Sequence, residues 1–145
     1  MFANGRIWIA YLIVFASSAC TLVIELIAGR IMAPYIGVSL YTWTSIIGIV
    51  LAGMSVGNYL GGLVADRAPS RRTLGLIFLA AGIASLGILV VTDLAVAARL
   101  SLSLLPRIVF YTTAIFFLPS LVLGMVSPVV VKLALTDLER TGNTV

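Results

Sequence analysis

Polar and apolar positions along this chain are not interleaved; they fall into long separate blocks. No charged residue stands between Met32 and Ala65, and that run closes on Asp66-Arg67, followed shortly by Arg71-Arg72. An apolar segment ended by a small charged cluster is how a membrane-spanning helix meets water. The pattern occurs four times and predicts helices over about 7–28, 40–65, 73–92 and 108–131, each reaching the roughly 20 residues needed to cross the hydrocarbon core. The strict alternation of a membrane β-barrel is missing. The expected fold is an all-α integral membrane protein with four transmembrane helices. It forms a single transmembrane domain over residues 1–145, with 132–145 as a tail.

The intervening segments carry turn signals. Arg30 to Ser39 contains the helix breakers Pro34 and Gly37. Asp66 to Arg72 holds Pro69 and four charges, and Asp93 to Arg107 ends near Pro106. The Leu94–Leu100 stretch predicts a short helix lying on the membrane surface.

Composition supports the same class. Hydrophobic residues make up 61% of the chain and charged residues 10%, more apolar surface than a soluble domain of this length can bury. The net charge of +4 reflects topology, because the basic residues sit at span ends and form no face for a phosphate backbone. Nucleic-acid binding is therefore excluded as a reading. With the N-terminus inside, Arg6, Arg67, Arg71, Arg72, Lys132 and Arg140 lie on the cytoplasmic side, and Arg30, Arg99 and Arg107 lie outside. The positive-inside rule then favours N-in and C-in, with Trp8 and Trp43 marking the inner and outer interfaces.

The chain has no histidine and one cysteine. It thus lacks the commonest metal ligand and general base, and no intrachain disulfide can form. No metal or other cofactor is expected. Ser17-Ser18-Ala19-Cys20 is not read as a lipoprotein cleavage site, since the apolar run continues through Ile24. Cys20 is expected as a small buried residue.

Few polar residues lie inside the spans. Ser18, Thr21 and Glu25 share one face of the first helix by their i, i+3, i+7 spacing. Counted from Ile7, Glu25 falls about 27 Å along the axis, near the outer edge of the hydrocarbon. It reads either as a rim ion pair with Arg30, which could also meet a lipid headgroup, or as a cation-binding or proton-coupling carboxylate. No ionisable side chain is expected at mid-depth.

Gly53, Gly57 and Gly61 form a strip at four-residue spacing that lets another helix approach closely, in this chain or in another. The neighbouring face carries Ser45, Gly48, Ala52, Ser55 and Tyr59, and Asn58 adds an amide that needs a partner away from lipid. These residues read as helix–helix glue or as part of a ligand pocket. The fourth helix holds Pro119 and Pro128 around Ser120, Gly124 and Ser127, which predicts a kinked helix, either structural or a moving gate.

The segment from Gly62 to Arg72 resembles the loop motif that joins the second and third helices of the major facilitator superfamily. Gly62, Asp66, Arg67 and Arg71 match it, while Pro69 and Ser70 replace a glycine and a basic residue. The resemblance implies that Asp66, Arg67 and Arg71 gate or latch helices, with Asp66 facing a helix N-terminus. A narrower likeness runs through Glu25–Ser39, Trp43, Gly53–Asp66 and the tail Asp137–Gly142. It is similar to the membrane segment of spermidine-synthase-like proteins, described as facilitator–spermidine synthase fusions. The arrangement so implied is the first four helices of a facilitator half, in a prokaryotic cytoplasmic membrane.

No Gly-rich βα turn is present to hold a nucleotide, and no base accompanies Ser18, Ser55 or Ser120, so an enzyme is not the expected reading. The function expected is a transporter-like module for polyamines or other small cations. It would act as a homo-oligomer with the glycine strip as the contact and Glu25, Ser18, Thr21, Asn58 and Tyr59 as binding residues. The alternative is a non-catalytic subunit of a larger membrane complex, or an anchor for a spermidine-synthase-like enzyme.

Overall fold

A computed structural model describes residues 2–97 and 102–142, with side chains over 8–97 and 102–136. Among the described residues five helices occur in order: α1 (Phe2–Ile36), α2 (Leu40–Arg67), α3 (Arg71–Ala97), α4 (Leu104–Gly124) and α5 (Val126–Gly142). α4 and α5 together make one span, so four segments are long and apolar enough to cross a membrane: Trp8–Ile36, Leu40–Arg67, Arg71–Ala97 and Leu104–Thr136.

The helix ends show what the sequence signals were worth. α1 runs eight residues past its expected end, straight through Arg30 and Pro34. Proline withholds a single N–H from the ladder, and membrane helices tolerate that loss. The stop is Gly37, whose φ of 76° is the left-handed conformation that ends helices, with its N–H bonded to the Ala33 carbonyl at 3.0 Å.

α2 and α3 start on the same device. Ser39 Oγ accepts the Thr42 N–H at 3.2 Å, and Thr42 Oγ1 donates to the Gly37 carbonyl at 3.2 Å. Ser70 accepts the Thr73 N–H at 3.1 Å, and Thr73 Oγ1 donates to the Ala68 carbonyl at 2.9 Å. A serine with a threonine three positions later thus satisfies orphan donors at both helix starts.

α3 continues to Ala97, so Leu94–Ala97 complete a span instead of beginning a surface helix. The rest of that expected segment, residues 98–100, lies outside the described residues. Pro106 sits in the first turn of α4, where its missing N–H costs nothing. The fourth span breaks at Met125, between Pro119 and Pro128. Pro128 has no N–H for the Gly124 carbonyl four residues earlier, and the Met125 N–H bonds instead to Leu121 and Val122. Beyond it α5 carries the helix through Lys132 to Gly142.

The fourth span is the hub. Half of its apolar window is buried, against 17–28% for the others, and α4 packs on α1, α2 and α3. Its tightest partner is α2, which buries one stripe: Thr42, Ile46, Val50, Gly53, Gly57, Gly61 and Ala65.

Two apolar clusters result. Near the α1–α2 turn, Ala28, Met32, Ile46, Val50, Ile88, Ile108, Tyr111, Ile115 and Phe116 pack together. At the opposite end Ala65, Ile77, Val126, Val129 and Val130 are joined by Ala10, Ile13 and Val14. Between the clusters lie small buried residues from every span: Ser17 and Thr21, Gly57, Ala81, and Ser120 with Gly124.

Ser45 Oγ and Thr112 Oγ1, 2.9 Å apart, tie α2 to α4. Thr112 spends its own proton on the Ile108 carbonyl at 2.8 Å, so Ser45 is the donor. Thr112→Val keeps the shape and removes the acceptor. It should cost about 1 kcal/mol, read as a lowered midpoint of thermal unfolding in detergent.

A candidate site around Glu25 and the outer face of α2

Extension of α1 to Ile36 moves Glu25. α1 runs unbroken from Phe2 to Ile36, and Glu25 lies eleven residues, or about 16 Å, before its end. Glu25 therefore lies well inside a continuous helix and not in its last turn. Its side chain is half-buried.

The expected Glu25–Arg30 ion pair does not form; the ion pair shown among the described residues is Lys132 with Asp66. In an unbroken helix, positions five apart are rotated by about 140°, outside the i+3 or i+4 neighbourhood in which side chains meet. Arg30 accordingly lies on an exposed face.

The polar stripe on α1 straddles the edge of the bundle and is divided by it. Thr21 is buried and donates to the Ser17 carbonyl at 3.1 Å, while Ser18 is exposed. Ser17, unremarked in the sequence, is the buried serine and donates to the Val14 carbonyl at 2.9 Å. Both buried hydroxyl protons are thus held by α1 itself. Cys20 is exposed, contrary to expectation, because it is turned about 100° from the inward-facing Thr21.

On α2 the glycine strip is already occupied. A Cβ built on Gly53 would stand 2.9 Å from the Phe117 carbonyl oxygen and 3.0 Å from Ser120 Cβ. One on Gly57 would collide with the Leu121 carbonyl, and one on Gly61 would come within 2.7 Å of Met125 Cα. The strip therefore receives the fourth span of the same chain and offers no surface to a second copy. Ser120, wholly buried beside Gly53, has an Oγ with no hydrogen-bond partner.

Asn58 and Tyr59 are exposed, and Tyr59 is turned about 200° from Gly57, so it points away from α4. Asn58 lies nine positions before Arg67, or about 14 Å along the helix. Among the described residues, no side chain hydrogen-bonds its amide. The structure does not gather Asn58 and Tyr59 with Glu25 into one pocket. They lie on the opposite side of the midpoint of the span from Glu25, given the antiparallel course of α1 and α2.

At the end of the bundle where α2 passes into α3, Asp66 accepts a 2.8 Å hydrogen bond from Lys132 Nζ of α5. The carboxylate predicted to face a helix N-terminus thus joins the cationic side chain of a third element. Gly62 is half-buried with open space over its Cα, and Arg67 and Arg71 are exposed. Arg6, Arg99 and Arg140, three of the cations used to orient the chain, lie outside the described side chains.

These features define an integral membrane protein of the four-span, all-helical class, with a half-buried carboxylate inside its first helix and one polar helix face turned outward. Compared with known protein families, with curated proteins and with solved structures, the chain matches none.

Proposed function

We propose that this chain is a transporter-like membrane module for small cations, polyamines among them, and that it works as an assembly with at least one further unit. The observation that carries the reading is Glu25: a half-buried carboxylate inside a membrane-length helix, with no ion-pair partner among the described residues. Ionisable groups within a span are expensive to keep and commonly mark ion or substrate paths. The resemblance of Gly62–Arg72 to the facilitator loop supports the same class, with Asp66 and Lys132 as a latch across the cytoplasmic ends of α2 and α5.

Three spans pack around the fourth, which fills the centre of the bundle, so the path belongs to a contact between units. Asn58 and Tyr59 supply that contact. An amide facing hydrocarbon without a partner is costly, and a second protein surface removes the cost. The contact assigned earlier to the glycine strip thus moves to the opposite face of α2.

The test is the mass of the particle released from its native membrane in a mild detergent. A homo-oligomer free of other polypeptides is expected, and Asn58→Leu should reduce it to single chains without lowering the unfolding temperature. Stoichiometric co-purification of other proteins would favour instead a non-catalytic subunit, or an anchor for a spermidine-synthase-like enzyme. A monomer in native membranes would overturn the assembly.

A further inference from the structure

A groove of about 550 Å³ runs between the last turns of α1 and the start of α2, lined among others by Val23, Ile27, Gly29, Arg30, Val38 and Trp43. It owes its shape to Gly29: a Cβ there would lie 3.0 Å from the Trp43 ring, so the bare backbone lets the indole settle against α1. Residues 23, 26, 27, 30 and 33 form one stripe of α1, turned away from Ala28 and the core. The groove therefore opens toward lipid.

Arg30 is the one charged residue in the lining. Glu25, the nearest acid in sequence, is on another face of the helix. Toward the midplane, the wall from Arg30 to Val23 is apolar for about 10 Å. Trp43, in the first turn of α2, has the amphipathic ring favoured at headgroup level. A guanidinium binds phosphate through paired N–H donors and is weakly hydrated, which suits it to a partly buried anion.

We propose that this groove is a binding site for one anionic phospholipid, with the headgroup phosphate on Arg30 and an acyl chain along Val23 and Ile27. The charge of the trough selects the occupant. A neutral helix from another protein would leave Arg30 unpaired in an apolar wall, and a zwitterionic lipid brings its own cation.

The experiment uses the full chain in nanodiscs containing equal phosphatidylglycerol and phosphatidylcholine, with retained lipid counted by native mass spectrometry. Wild type should retain one phosphatidylglycerol in preference to phosphatidylcholine. Arg30→Gln should reduce that preference roughly tenfold, as expected for loss of one charge-assisted contact. Ile27→Trp, which fills the groove and leaves Arg30 in place, should expel the lipid. Both positions are exposed, so unfolding temperatures should not change. Equal retention of the two lipids by wild type would overturn the site. So would full preference in either variant, or a photo-crosslinker at position 27 that captures polypeptide instead of lipid.

Discussion

Gly57→Leu should yield no folded single chain, and Gly57→Ala should already lower stability by about 3 kcal/mol. The added methyl of alanine meets the Leu121 carbonyl and lies near Gly124 Cα, both backbone atoms of α4. A flexible side chain could swing aside, but backbone moves only if two helices separate. Overpacking a well-fitted contact typically costs 1–3 kcal/mol, and here the contact is the most extensive in the bundle. Gly124 makes the approach mutual, since a Cβ there would stand 2.7 Å from the Met54 carbonyl oxygen.

Gly48 is the internal control. A Cβ on it meets nothing within 4 Å, so Gly48→Ala should be neutral or stabilising by up to about 1 kcal/mol through helix propensity. Thermal unfolding in one detergent separates the two positions. A Gly57→Leu chain that folds normally but leaves a larger particle would show that the strip serves another chain.

Glu25→Gln should abolish uptake of spermidine and putrescine by reconstituted protein while leaving its fold intact. Glutamine keeps the length and planarity of the side chain and removes only the charge. Among the described residues Glu25 has no ion-pair partner to orphan, and its flank is half-exposed, so the substitution has little structural cost. A cation crossing low-dielectric surroundings, by contrast, depends on that negative charge for most of its stabilisation there. Undiminished uptake by a well-folded Glu25→Gln protein would remove Glu25 from the path. The variant should also oligomerise as wild type, because the contact proposed here lies on α2.

Much of this molecule can be read without coordinates. Four spans follow from the spacing of charges, since nothing but a helix can carry 20 or more apolar residues through lipid with every backbone group bonded. The start of α2 at residue 40 was legible in the hydropathy pattern, whereas the caps made by Ser39 with Thr42 and by Ser70 with Thr73 emerged from the structure. The glycines at 53, 57 and 61 announced close packing by their period alone.

What the residues could not declare is which surface meets which. A small-residue strip admits any helix, and only the placement of α4 on α2 showed that its partner is in the same chain. Proline at 34 reads as a stop, yet a single missing hydrogen bond is too weak to end a long apolar helix, and the chain turned at Gly37 instead. That difference of a few residues placed Glu25 well inside a continuous helix and carried Arg30 onto another flank of it. Helical phase decided the rest: Cys20 and Ser18 face outward and Ser17 inward, because one residue of rotation is about 100° and composition holds no record of it. Sequence determines where a helix can exist in a membrane, through local hydrogen bonding and hydropathy. Which side of it is the inside depends on contacts between residues far apart in the chain, and only tertiary packing decides it.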